Sequence, residues 1–503
     1  MRARVLMLQG TASHAGKTVL VAALCRRYAR RGYRVAPFKA QNMALNSFVT
    51  KDGGEMGRAQ VYQARAAGIE PQVDMNPVLL KPSAGATSQV VVMGRPAGHM
   101  TVAEYHAYQA EVWPVVVSAL ERLRAGHDLV ILEGAGSSAE VNLRGHDIVN
   151  MRVALHTGAP VLLVGDIDLG GVFASLLGHV ELFTPEERAL VAGFVINKFR
   201  GDARQLDPGI EVLRERTGVP TLGVVPYLDG WSGEEEDSVA LGEGSRPLKP
   251  EAPLQVAVVR LPFLSNFTDV DALLREPDVG VRFATSPGDL EGAAAIVLPG
   301  SKSTVADLAW LGKSGLAEAV RDAAAAGTPV VGICGGFQML GRCILDPAGV
   351  ESPHAAVEGL GLLDAETTFA AEKRTVRVSG VVAAAGPLGG PGTPVDGYEI
   401  HMGRTTLGPG AAPLLRVGGA GGAGGAHADG AVAGSVCGTY LHGLFDRSEL
   451  RAAFLDRLRA TLGLPRPSPA AAPRDDIDRL ADHVEAHLDM DAIDRAAGLI
   501  RRL

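Results

Sequence analysis

Residues 4–29, RVLMLQGTASHAGKTVLVAALCRRYA, decide how the N-terminal half of the chain is read. Val5–Leu8 is a short apolar run, a glycine-bounded loop follows from Gly10 to Gly16, and Val19–Ala29 carries a helical apolar pattern. A strand that runs through such a loop into a helix N-terminus aims several backbone N–H groups at one place, which suits a phosphate. On this reading Gly10, Thr11, Ala15 and Gly16 form the cradle, Lys17 reaches the outer phosphates and the Thr18 hydroxyl ligates Mg²⁺. Five residues, Thr11 to Ala15, separate the two glycines, one more than the usual spacing.

Outward from this loop, the apolar runs Arg34–Phe38, Leu129–Leu132, Val161–Val164 and Val191–Ile196 alternate with amphipathic stretches. Short buried strands spaced by helices predict a parallel, doubly wound α/β sheet. In such a sheet ligands collect at the carboxyl ends of the strands. Glu133 ends one of them, in LVILEGAGS, and is assigned to Mg²⁺; Asp52, in TKDGGE, is the expected second carboxylate, with Glu55 as the alternative. Lys39, after the second strand, is placed to neutralise charge on a transferring phosphate. Gln41, Asn42 and Asn46 supply amide donors for a substrate rich in carboxylates or amides, and Lys81 and Arg144 add cations. Asn197, with Lys198 beside it, follows a strand where related folds read an adenine base.

Periodicity stops at WSGEEEDSVALGEGSRPLKPEAP (231–253), which reads as a linker, so domains are expected at 1–230 and 254–450 with a helical tail over 451–503. A second α/β pattern begins at VAVVRL (256–261). In VVGICGGFQMLG (330–341) a strand runs into Cys334, two glycines and a helix, the pattern of a nucleophile elbow. The helix N-terminus favours thiolate there. His442, in CGTYLHGLF, is the expected base, and AIVLPGSKST (295–304) offers oxyanion-binding N–H groups around Gly300 and Ser301, opposite Gly335. The Gly-rich stretch 407–434 reads as a flexible loop or hairpin tip, and Asp475–Ile500 as one amphipathic helix.

Length and composition set limits. A chain of 503 residues, 47% hydrophobic and 21% charged, needs more than one core. A net charge of −8 argues against broad nucleic-acid binding. No apolar stretch is long enough for a bilayer, and the N-terminal run is a strand, not a signal peptide. Four cysteines without a CxxC pair suggest neither zinc nor disulfides; Cys25, Cys343 and Cys437 read as packing residues, and the expected location is cytoplasmic.

The longer phosphate loop is similar to that of dethiobiotin synthetase and its relatives. Taken with FKAQNMALNS, DGGEMGRAQVYQARAAG, MNPVLLKPS, VNLRGHDIVNM, GDIDLGGVFAS, INKFRGD, LPGSKST, GICGGFQMLG, DGYEIHMGRT and GTYLHGLF, it makes nearly the whole chain resemble the cobyric acid synthase family. The resemblance implies a P-loop NTPase-like ATP domain and a flavodoxin-like glutaminase domain. It also implies ATP, Mg²⁺ and L-glutamine as reactants and a corrinoid as substrate, with no nucleic-acid or membrane partner. The family amidates the b, d, e and g carboxylates of adenosylcobyrinic acid a,c-diamide through acyl phosphates. Cobyrinic acid a,c-diamide synthase is the nearest rival, and FKAQNMALNS with DGGEMGRAQ argues against it. One departure from the wider Cys-His-Glu glutaminases stands out: Leu444 occupies the position of the carboxylate two residues after the histidine. A Cys334–His442 dyad is therefore expected, with Asp446 or Glu399 as possible orienters of His442.

Overall fold

Every apolar run predicted for the N-terminal half is a strand of one parallel sheet. The computed structural model describes residues 2–83, 87–228, 249–419, 425–467 and 476–499. In it β1 (Arg4–Gly10), β2 (Val35–Phe38), β3 (Leu129–Glu133), β4 (Val161–Asp166), β5 (Val191–Phe199) and β6 (Thr221–Pro226) lie in the order β6-β5-β4-β1-β3-β2. All neighbours are parallel. The sheet is buried on both faces, which is why these strands are continuously apolar rather than alternating. β1 and β3 sit side by side with Leu8 opposite Glu133, so the phosphate loop and the acidic strand end share one edge.

The C-terminal half repeats the layering. β7 (Leu254–Val259), β8 (Val279–Ala284), β9 (Ala295–Leu298), β10 (Val330–Ile333), β11 (Ala431–Ala433) and β12 (Val436–Thr439) lie in the order β8-β7-β9-β10-β12-β11, with only the β11–β12 pair antiparallel. Two further sheets, largely but not wholly antiparallel, were not legible from periodicity. One is a four-stranded sheet of Gln41–Met43, Val78–Ser83, Thr87–Val92 and Arg95–Thr101. The other is built on the long hairpin Ala365–Val382 with Pro394–Leu407, to which Leu441–His442 adds. The Gly-rich stretch is a hairpin, Leu415–Gly419 against His427–Asp429; its residues 420–424 lie outside the described residues.

The two halves meet through buried polar contacts. Asn46 Oδ1 accepts from the Phe267 N–H at 3.1 Å while Asn266 Oδ1 accepts from the Ser47 N–H at 2.8 Å, a reciprocal clasp. Tyr398 donates to the Ser47 carbonyl at 3.0 Å and receives Arg58 at 3.2 Å. Glu55 is pinned between Lys81 of its own half and Lys373 of the other.

Most of the expected linker, 231–248, lies outside the described residues, as do residues 475 and 500. Beyond residue 450 the chain does two different things. The Ser448–Leu462 helix stays with the C-terminal core through Phe454, its ring tilted against Phe445 at 5.0 Å, and through Arg459, paired with Asp278 at 2.8 Å. The expected single tail helix is two, Asp476–His487 and Met490–Ala496, because Asp489 caps a new start by accepting from Ala492 N–H. Both pack on the Lys17–Arg30 helix of the first half. Their apolar faces (Leu480, Val484, Ile493) join its core, and Arg26, Arg27, Arg30 and Arg31 pair with Asp478, Glu485, Asp482 and Asp494.

Candidate active site

In the N-terminal half the loop closes on its own lysine. Lys17 Nζ donates to the Ala12 carbonyl at 2.9 Å and to the Gly136 carbonyl at 3.1 Å, spanning the space in which phosphate oxygens would lie. Gly16 sits at φ 90°, where a side chain would be strained and would overlap the Asn197 amide. Asn197 donates to the Ala15 carbonyl at 2.9 Å, so it braces the loop from behind.

Glu133, 1% exposed, is the hub. Its Oε1 accepts from Thr18 Oγ1 at 2.8 Å and Lys39 Nζ at 2.9 Å, and its Oε2 accepts from Gln63, a partner the sequence did not suggest. Thr18 and Glu133 form the hydroxyl–carboxylate pair that a magnesium ion takes beside a nucleotide. Among the described residues no group of three or more His, Cys, Asp or Glu is arranged to hold a metal ion by itself. Asp52 is not part of this set. It is exposed on the turn between Ser47–Val49 and Glu55–Gly57, and Glu55 is engaged by two lysines at the domain interface. Both metal expectations beyond Glu133 are thereby corrected.

A cavity of about 460 Å³ opens from the loop, lined by Lys17, Lys39, Gln41, Asn42, Arg144 and Asn150 among others. Gln41 accepts from Tyr105 at 2.6 Å, Asn42 donates to Gln60 at 3.0 Å, and the exposed Arg144 donates to the Leu182 carbonyl at 2.7 Å. Asn46 and Lys81, expected here, lie elsewhere: Asn46 in the interdomain clasp, Lys81 against the second site. Both belong to strand–loop segments whose direction depends on the added four-stranded sheet, which the apolar pattern does not announce.

The second site is the elbow. Cys334 has φ 52°, a conformation costly for a residue with a side chain, and it caps the Gly335–Leu340 helix. The following turn presses on β9: a Cβ on Gly336 would overlap the Leu298 carbonyl. That closeness also sets a Cβ built on Gly335 only 2.9 Å from the Ser301 nitrogen, so the two predicted oxyanion segments do meet. Ser301 is held by Asp307, which accepts from its hydroxyl at 2.6 Å; burial pushes the Asp307 carboxyl up to about 6.

His442, 1% exposed, faces Cys334 and is gripped from behind by a residue absent from the expected set. Asp269 Oδ2 lies 2.7 Å from His442 Nδ1, and its Oδ1 accepts from the Gly443 N–H at 2.8 Å. Burial alone would lower the His442 pKa, yet the Asp269 carboxylate and Cys334 outweigh it and hold the imidazole above its ordinary value. Tyr398 stacks on the same ring at 5.4 Å. Neither expected orienter serves. Glu399 is engaged by Arg374 and His427, and Asp446 faces Arg58. Asp269 lies 173 residues before His442 in an unremarkable LSNFTDVD segment, so only the fold brings it in.

Of the remaining cysteines, Cys25 and Cys437 are wholly buried with thiols pushed up by burial, and all four are free. Among the described residues no helix is long and apolar enough to cross a membrane.

Known families match both halves. The model of the CobQ/CobB/MinD/ParA nucleotide binding domain covers residues 6–239, and that of the CobB/CobQ-like glutamine amidotransferase domain covers residues 255–450. The cobyric acid synthase of Sorangium cellulosum is 52% identical over 100% of both chains. That of Desulforudis audaxviator is 54% identical over 99% of this chain and 100% of the relative. That of Moorella thermoacetica is 48% identical over 100% of this chain and 98% of the relative.

Proposed function

Since the chain belongs to the cobyric acid synthase family, we propose that it moves the side-chain nitrogen of glutamine onto peripheral carboxylates of a corrinoid at the expense of ATP. The observation that carries this reading is the pairing of an Asp269–His442–Cys334 array in one half with a Lys17–Thr18–Lys39–Glu133 cluster in the other.

Cys334 sulfur attacks the amide carbon of glutamine, and the N–H groups near Ser301 and Gly335 stabilise the oxyanion. His442, held protonated beside Asp269, gives its proton to the departing nitrogen, and ammonia leaves. Water then adds to the thioester, returns the thiol and releases glutamate. In the other half, a corrinoid carboxylate oxygen attacks the γ-phosphorus of ATP, and ADP leaves. Ammonia attacks the resulting acyl phosphate, phosphate departs and the amide remains. Activation is needed because an ionised carboxylate is a poor electrophile with a poor leaving group. Lys17 and Lys39 neutralise charge on the transferring phosphoryl group, while Thr18 and Glu133 are the residues that would hold Mg²⁺, whose role is to offset phosphate charge.

The acceptors are the b, d, e and g carboxylates of adenosylcobyrinic acid a,c-diamide. Cations and amides along the 460 Å³ cavity suit so carboxylate-rich a substrate. The test is mass spectrometry of that corrinoid after incubation with the protein, glutamine and Mg-ATP. Four successive amide mass steps are expected. Turnover of cobyrinic acid instead, without these steps, would sink the choice of acceptor but leave the chemistry of the two halves standing.

A further inference from the structure

The pocket that holds Cys334 and His442 is lined by three lysines, Lys81, Lys302 and Lys373, and two of them already face a carboxylate. Lys81 donates to Glu55 at 2.7 Å, and Lys373 pairs with the same Glu55 and donates to Gln89 at 3.1 Å. Lys302 has no ion pair or side-chain hydrogen bond among the described residues. Its backbone is fixed, because its N–H donates to the Phe263 carbonyl at 2.9 Å, and it directly follows Ser301 of the oxyanion turn. Burial and the neighbouring Lys81 and Lys373 depress its pKa to about 8, outweighing the opposite pull of Glu55 and Glu351. Across the pocket, Glu351 is tied to the same helix start through the Val305 N–H, which donates to its Oε1 at 2.9 Å.

We infer that Lys302 receives the α-carboxylate of the nitrogen donor and that Glu351 faces its α-ammonium group, so that the site reads a free amino acid rather than an isolated amide. The assignment rests on Cys334 attacking glutamine. It explains why a single unpaired cation follows the oxyanion turn: the head of the substrate is fixed one residue away from the place where its amide carbonyl is polarised. Lys81 and Gln89 come from the ATP half, so that half completes one wall of the donor pocket.

The test uses the full chain and two alkylating agents. 6-Diazo-5-oxo-L-norleucine carries the amino-acid head of glutamine; iodoacetamide does not. Labelling of Cys334 by each is followed by mass spectrometry, and the ratio of the two rates cancels changes in thiol reactivity or folding. In Lys302→Met the ratio is expected to fall about 10- to 100-fold, the effect of losing one charge-assisted hydrogen bond. Lys302→Arg should recover most of that loss, and the Met variant should raise the KM for glutamine far more than it lowers kcat. A ratio in the Met variant within twofold of the parent overturns the assignment. If the parent takes up iodoacetamide but no diazoketone, the pocket is not a glutamine site, and both the assignment and the reading beneath it fall.

Discussion

Replacing Asp269 by Asn isolates what the carboxylate does for His442. Asn has nearly the same shape and can still accept from the Gly443 N–H, now 2.8 Å from Asp269 Oδ1. It cannot supply the negative charge that lies 2.7 Å from His442 Nδ1. A hydrogen bond of this charged, buried kind contributes about 1.5–3 kcal/mol, which is about 10- to 150-fold in rate. The loss should appear in kcat/KM with glutamine as donor. It should be absent with ammonium chloride, because the phosphoryl chemistry lies in the other half. The pH profile gives an independent sign. Asp269 helps keep the His442 pKa above its ordinary value, so the imidazolium persists as pH rises. Without that charge the proton is lost at lower pH, and the alkaline limb of glutamine-dependent activity moves down. Wild-type kcat/KM in D269N would refute the reasoning, as would an equal loss with both nitrogen donors.

Further outcomes follow from other contacts. Glu133→Gln should cut amidation by about 100-fold or more with either nitrogen source, while diazoketone labelling of Cys334 stays within about twofold of the parent. Glu55 is held below the ordinary carboxylate range: burial pushes it up, but Lys373 and Lys81 outweigh burial. Its stabilising effect is therefore complete above about pH 4.3 and is lost as pH falls through the lowered value. Denaturant titrations below that pH should show a steeper decline for the parent than for Glu55→Gln. Asp494 accepts from Arg27, Tyr28 and Arg31, the shortest contact being 2.7 Å. Asp494→Ala should cost about 2–3 kcal/mol, read as a lower calorimetric transition of the ATP half, with iodoacetamide labelling of Cys334 unaffected.

The N-terminal sheet was legible because a strand buried on both faces must be apolar throughout, and Leu129–Leu132 and Val191–Ile196 are. Cys334, Gly335 and the Gly300–Ser301 turn were legible because a tight strand-to-helix turn demands glycines at fixed offsets. Glu133 followed from its place at a strand end. Asp269 and Gln63 were not, since a lone Asp or Gln gives no local sign of a partner that folding brings from 173 or 70 residues away. Asn46 and Lys81 lie away from the phosphate loop's cavity for a related reason. Their types suit a polar ligand, but they serve a domain interface, and amide and ammonium groups suit both. Asp52 sits before Gly53-Gly54, and the hairpin turn it makes is the plainer use of Asp at such a place.

The last two helices change what it means to call these halves consecutive. The first half is left at Tyr227–Leu228 and regained at Asp476, where Asp489 N–H reaches the Leu222 carbonyl at 2.7 Å and Leu488 bridges Gly223 on the outer strand of the sheet. The glutamine-handling unit is thus an insertion within the ATP unit, fastened at both ends like a stone in a ring rather than a bead on a string. An insertion fastened twice, and clasped through Asn46, Asn266 and Tyr398, has less freedom to swing than one joined by a single linker. Cutting the chain between 228 and 249 would not yield two natural parts, for the second fragment would carry away the strap that seals the first fragment's exposed edge.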